Sequence, residues 1–285
     1  MGTFARLLLA TLLAAVPAQA WWGHGHGILT QAAVEALPEE MPAFFRQGGE
    51  TLAHMAYDAD LFKNRAMAQL NNGEHGEHFF DLELLEGRPW PARRYDFIAF
   101  CAEHGLDPAK VGTLPYALAE WTQRLAVAFA EYRRWPENEA VRAKCLVYGG
   151  MAAHYAQDMV QPLHVTVDFD GRKKSDGSVE GKGIHERVDG VIEKLELDPA
   201  ALAAGATVEA PADLMVAIRA QVAESHAQLD RVYALDAALG EKEIPPQGVA
   251  FARERGQQSA AFLASLYLWA WNASAEVKLP GWHQR

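Results

Sequence analysis

His154-Tyr-Ala-Gln-Asp158-Met-Val-Gln-Pro162-Leu-His164 is the stretch on which the reading of this chain turns. His154 and Asp158 are four residues apart, so a helix sets both on one face, one turn apart. Leu146, Gly150, Ala153, His154, Gln157 and Asp158 recur at helical spacing, and Pro162 ends the run. Past the proline the chain turns, and His164 can reach back from another direction. A second pair with the same spacing follows in His185-Glu-Arg-Val-Asp189. A lone His-x-x-x-Asp pair is usually a surface pair or a satisfied hydrogen bond. Here Tyr155, Met159, Leu163 and Val188 surround the two pairs, which argues against a solvated face. Buried ionisable groups need partners or a metal. Imidazole and carboxylate are the ligand types that suit Zn²⁺.

The flanking sequence carries the same helical character. Ala, Leu, Glu, Arg and Gln dominate, and β-branched runs are scarce. The pattern predicts helices over 28–36, 42–57, 95–104, 116–135, 137–159, 185–195, 212–235 and 247–272. Pro136, Pro199 and Pro245-Pro246 punctuate the joins, and 168–183 reads as a mobile loop rich in Gly, Lys, Asp and Ser. There is no repeat and no domain boundary, so residues 21–285 read as one all-α domain. The 285 residues are half hydrophobic and 22% charged, which excludes a disordered chain. Only 2 Cys, 23 Gly and 14 Pro exclude a disulfide-dense or collagen-like scaffold. A net charge of −11 gives no global field to attract nucleic acid, so phosphate binding has to come from local groups or metal ions.

Residues 1–20 read as a secretory signal peptide. Arg6 supplies the positive charge, Leu7 to Val16 is a short apolar run, and Ala18-Gln19-Ala20 is a small-x-small cleavage pattern. Cleavage between Ala20 and Trp21 leaves Trp21 as the new N-terminus and a secreted or periplasmic protein. No other segment is long and apolar enough to span a membrane. Cys101 and Cys145 then meet an oxidising compartment, where pairing is open to them.

The segment from His154 to His164 resembles the signature of the bacterial zinc-dependent phospholipase C and fungal-type single-strand nuclease superfamily. Members begin, after processing, with a Trp that binds zinc through its own amine and carbonyl, and Trp21 occupies that place. His26, ahead of Thr30-Gln31, matches the next position, with His24 as its rival. Asp60 in Asp58-Ala-Asp60-Leu-Phe fits the Asp expected at a helix end, with Asp58 second. His78-Phe79-Phe80-Asp81 supplies the next His, and His154, Asp158, His164, His185 and Asp189 complete the set. The resemblance implies an all-α, single-domain, multi-helix fold with three Zn²⁺ ions in a cleft. One ion would take Asp60, His78, His154 and Asp158, a second His164, His185 and Asp189, and a third Trp21, His26 and the shared Asp158. It implies hydrolysis of a phosphodiester by a zinc-activated water, with Asp60 as the catalytic carboxylate that orients it.

Which diester is cleaved is divided between two substrates. His-Phe-Phe-Asp looks closer to the phospholipase branch, while Gln161-Pro162-Leu163-His164 and Asp189 are seen in the nuclease branch. The loop before His185 reads Glu180-Gly-Lys-Gly-Ile184 and lacks the Gly-Gly-Asn string of the nucleases. The balance tips to phospholipase C-type cleavage of phospholipid, with single-stranded nucleic acid as the alternative substrate. A non-catalytic zinc-binding protein on the same fold is the alternative from another class. Lys173, Lys174 and Lys182 offer charge to an anionic substrate, although such a run is usually solvated. The chain is expected to be a monomer. His54, His75, His104, His226 and His283 read as surface or capping residues, and Trp121, Trp135, Trp269 and Trp271 as core.

Overall fold

The computed structural model describes residues 21–283. The expected signal peptide therefore lies outside the described residues. In chain order the helices are α1 (Gly23–Glu35), α2 (Ala43–Arg46), α3 (Gly49–Met55), α4 (Asp58–Phe62), α5 (Ala68–Glu74), α6 (Arg94–Glu103), α7 (Pro108–Val111), α8 (Leu114–Arg134) and α9 (Glu139–Val160). A two-stranded antiparallel hairpin, β1 (Arg172–Lys173) and β2 (Val179–Glu180), precedes α10 (Ile184–Asp189) and α11 (Val191–Lys194). Then come α12 (Pro199–Ala203), α13 (Leu214–Ala227), α14 (Leu229–Gly240) and α15 (Pro246–Ala273). Short 3₁₀ turns at His75–His78, Leu82–Leu85 and Pro162–Val165 complete the chain. The fold is all-α, as expected, and no described helix is long and apolar enough to cross a membrane.

Local chemistry explains the two central helices. Pro115 stands in the first turn of α8, where its missing N–H costs nothing, and Arg133 and Arg134 close the last turn against the helix dipole. The Asn138 side chain accepts from Ala140 N and Val141 N and so caps α9, with Glu139 in the first turn. The short link between them makes α8 and α9 a helical hairpin, and α15 packs across both. Phe45 meets Phe129 and Tyr267 edge-on, each at 5.0 Å between ring centroids, at the centre of that packing. Tyr267 Oη donates to Gly149 O at 2.8 Å.

The approach of α3 to α9 depends on Gly149 and Gly150. A Cβ on Gly150 would sit 2.3 Å from Met55 Cβ, and one on Gly149 would sit 2.6 Å from Leu52 Cδ2. With no side chains in the way, the end of α3 lies against the middle of α9. That places Ala56 O within 2.8 Å of His154 Nδ1.

Several boundaries differ from the sequence pattern. The predicted 42–57 helix breaks at Gly48, whose Cα faces Leu146 so closely that a Cβ would lie 2.4 Å from Leu146 Cδ2. The predicted 185–195 helix resets at Gly190, and 212–235 resets at Gln228. Residues 168–183 are not plain loop, since they hold the β1–β2 hairpin. Cys101 and Cys145 are both buried and unpaired.

Candidate metal centre

Six elements deliver the expected ligands. Helix α1 carries His26 on its buried face, α4 carries Asp60, and the 3₁₀ turn after α5 carries His78. The last turns of α9 carry His154 and Asp158, the next turn carries His164, and α10 carries His185 and Asp189. All eight are buried. They form three groups whose donor atoms lie within 4.8 Å of one another: His26, His154 and Asp158; Asp60, His78 and His154; and His164, His185 and Asp189. His24 is exposed and Asp58 half-buried, and neither falls in these groups. Trp21 is buried, and its indole N–H donates to Gln157 O at 3.1 Å, against the segment that carries Asp158.

The spacing of the donor atoms suits an ion. His154 Nε2 lies 2.9 Å from His78 Nδ1 and 3.3 Å from Asp158 Oδ2, and His78 Nδ1 lies 3.1 Å from that same oxygen. His185 Nε2 lies 3.0 Å from His164 Nε2 and 3.2 Å from Asp189 Oδ2. Ligands about 2.0–2.1 Å from a tetrahedral Zn²⁺ stand roughly 3.3 Å apart, which is the spacing seen here. The second ring nitrogens are anchored. His154 Nδ1 donates to Ala56 O, and His164 Nδ1 donates to His78 O at 2.6 Å, so the inward Nε2 atoms keep their lone pairs. Asp158 presents Oδ2 to His78 and His154, and Oδ1 toward His26 Nε2 at 3.6 Å, so one carboxylate faces two groups.

Several of these inward atoms have no hydrogen-bond partner within the protein: His26 Nε2, Asp60 Oδ2 and Asp158 Oδ1. Buried polar atoms left unsatisfied cost free energy unless something fills the gap between them. The titration behaviour divides the group: burial lowers His26, His164 and His185, whereas at His154 burial is outweighed by Asp158 and Asp60, which raise it. Burial, helped by His154, pushes His26 down to about 3. Burial and His164 hold His185 well below its usual range. Burial alone would raise Asp158, but His154 and His164 outweigh it and keep the carboxylate ionised. For Asp60, burial is again outweighed, here by His154, Lys63 and His78. Asp189 goes the other way: burial and the charges of Asp158 and Asp60 raise it well above the carboxylate range, against its hydrogen bond from Gln161.

A cavity of about 450 Å³ opens over these groups. His78, His164 and His185 form part of its wall together with Phe79, Leu84, Leu163 and Phe169. Its cations are Lys63, which pairs with Asp60 Oδ1 at 2.6 Å, and Lys110. Lys173, Lys174 and Lys182, weighed as substrate contacts against a solvated run, are not among its lining residues, and Lys174 faces Glu180 at 3.6 Å. His75, read as a surface or capping residue, is exposed, and at the cavity wall it packs edge-on against Phe79. Sequence reasoning missed Glu74 as well. This buried carboxylate accepts from Tyr155 Oη and stands 3.4 Å from His78 Nε2. Its signal was present as a Glu four residues before His78, the spacing used for the ligand pairs.

No protein-family model matches the chain, and no curated protein matches it in sequence. Among solved structures it is similar to the alpha toxin from Clostridium absonum, with a TM-score of 0.46 and 12% identity. That similarity covers 91% of this chain and 68% of the toxin chain.

Proposed function

We propose that the protein is a zinc-dependent phosphodiester hydrolase, exported and cleaved before Trp21, and that its substrate is a phospholipid. The observation that carries the reading is the convergence of eight buried His and Asp residues into three groups at ligand-to-ligand spacings, with His78, His164 and His185 of these groups lining one cavity. Zn²⁺ held there would lower the pKa of a bound water to about 7 and offset charge on the diester oxygens.

The remaining roles belong to the chain's own residues. The Asp60 carboxylate, kept ionised and held through Oδ1 by Lys63, can use Oδ2 to hold the proton of an attacking water and fix its direction. Lys63 balances Asp60, and Lys110 adds positive charge to the cavity wall, so an acidic chain can admit an anionic diester. Phe79, Leu84, Leu163 and Phe169 exclude water and offer apolar surface to the non-phosphate part of the substrate. These walls favour a glycerol–acyl portion. The rings of Phe79 and Phe169 suit a stacked base as well, which keeps the single-strand nuclease as the second reading.

The test is a parallel assay of the chain beginning at Trp21 on phosphatidylcholine vesicles and on single-stranded nucleic acid, with and without chelator. Release of phosphocholine without nucleotide products, abolished by chelator, is expected. Nucleotide products alone would move the assignment to the nuclease. Bound zinc without turnover of either substrate would leave a zinc-binding scaffold.

A further inference from the structure

Two glutamines on the ligand-bearing stretch face the metal groups from behind. Gln157 sits between His154 and Asp158, and Gln161 ends α9. Their orientations follow from neighbours that can play only one role. Thr30 Oγ1 gives its proton to His26 O at 2.8 Å, so that oxygen can only accept from Gln157, and Gln157 Nε2 donates to it at 2.8 Å. The other end of the amide, Oε1, makes a short hydrogen bond with His26 Nδ1. An amide oxygen only accepts, so His26 carries its proton on Nδ1 and keeps the Nε2 lone pair facing Asp158. At Gln161, Oε1 accepts from Leu163 N at 2.5 Å, and a backbone N–H can only donate. Gln161 Nε2 therefore donates to Asp189 Oδ1 at 2.6 Å, which leaves Asp189 Oδ2 turned to His185.

We propose that Gln157 and Gln161 are positioning residues of opposite polarity, each setting the metal affinity of a different group. Gln157 works through its acceptor oxygen, which selects the ligating tautomer of His26. Gln161 works through its donor nitrogen, which orients the Asp189 carboxylate and steadies its charge. This rests on the metal reading above. The two residues share one helix end, yet their chemical requirements differ, and one substitution separates them. Glutamate keeps the acceptor that His26 needs and removes the donor that Asp189 needs.

The experiment is Zn²⁺ titration of the chelator-stripped chain beginning at Trp21, by competition with a chromophoric chelator. Co²⁺ absorption reports site geometry, and circular dichroism checks the fold of each variant. Gln157→Leu is expected to weaken one binding step by about 10- to 100-fold, and Gln157→Glu to bring it back to within a few-fold of wild type. Gln161→Leu is expected to weaken a different step by a similar factor. Gln161→Glu gives no rescue and weakens it further, since it sets a second carboxylate beside Asp189. Glu variants that behave alike at both positions, or affinities unchanged in all four variants, would overturn the proposal. If a Leu variant fails to fold, the two Glu variants decide the matter alone. A wild-type chain that takes up no Zn²⁺ overturns the metal reading and this one with it. Normal uptake by the wild type with indistinguishable variants overturns only this one.

Discussion

At the scale of single residues, burial separates candidates that the sequence left side by side. His24 and His26 are two positions apart, as are Asp58 and Asp60, and in each pair the member that the motif favoured is the buried one. The glutamines were not legible, because their partners come from chain segments that spacing cannot reveal, whereas the Lys63 pairing with Asp60 follows an i,i+3 spacing that the sequence did carry. Gln157, for instance, meets His26 and Thr30 on α1. Asp158 is the residue on which most depends, since its two oxygens face two groups. Asp158→Asn is expected to lower zinc content by two ions and to reduce diester hydrolysis by at least about 1000-fold, as for loss of a central electrostatic group. Full zinc content in the variant would remove the shared role. Asp81 gives a pH-dependent prediction. Burial, reinforced by Glu83, raises its carboxyl to about 7. A carboxyl whose folded pKa lies above its unfolded value of about 3.9 favours the fold at low pH, and that advantage is lost as pH rises toward the folded pKa. In metal-free protein, Asp81→Asn should raise Tm most at pH 8 and clearly less at pH 5, with the gain vanishing only below the unfolded pKa of about 3.9, as read by thermal melts across that pH range.

At the scale of elements, helix type was legible and breaks were not. The long α8, α9 and α15 follow from composition, caps and proline positions. The start of α1 was missed because Gly23-His-Gly-His-Gly has poor intrinsic helix propensity, yet the helix begins at Gly23. The small helices α4 and α5, which carry Asp60 and lead to His78, lack a long periodic pattern and escaped notice. Close contact between α3 and α9 sets the position of His154 through Ala56 O. Gly150→Ala introduces a methyl 2.3 Å from Met55 Cβ and 3.0 Å from Leu52 O. The expected cost is about 1–3 kcal/mol of stability from overpacking, together with weaker zinc binding as the His154 anchor is displaced. Thermal melting and zinc titration of the variant check both effects, and an unchanged Tm would show that α3 and α9 have room to separate.

At the scale of the whole molecule, the account joins export, metal loading and activity. The indole of Trp21 is pinned to α9 beside Asp158, at the residue where cleavage is expected. In the precursor its nitrogen is an amide, a poor donor to Zn²⁺, whereas the free amine, with a pKa of about 8, gives up its proton readily when a metal competes. A chain carrying one extra Met before Trp21 should therefore hold one zinc ion fewer and turn over far more slowly than the matched chain that begins at Trp21. Equal zinc content in the two would remove the amine as a ligand. The same logic makes metal part of the fold's stability, because an ion that binds only the folded chain stabilises it by mass action. The central claim is that the buried His and Asp groups are metal sites, and the most direct measurement is elemental analysis of the purified chain beginning at Trp21. The account predicts three zinc ions per chain; a chain that folds with the same helical content and holds no metal would contradict it.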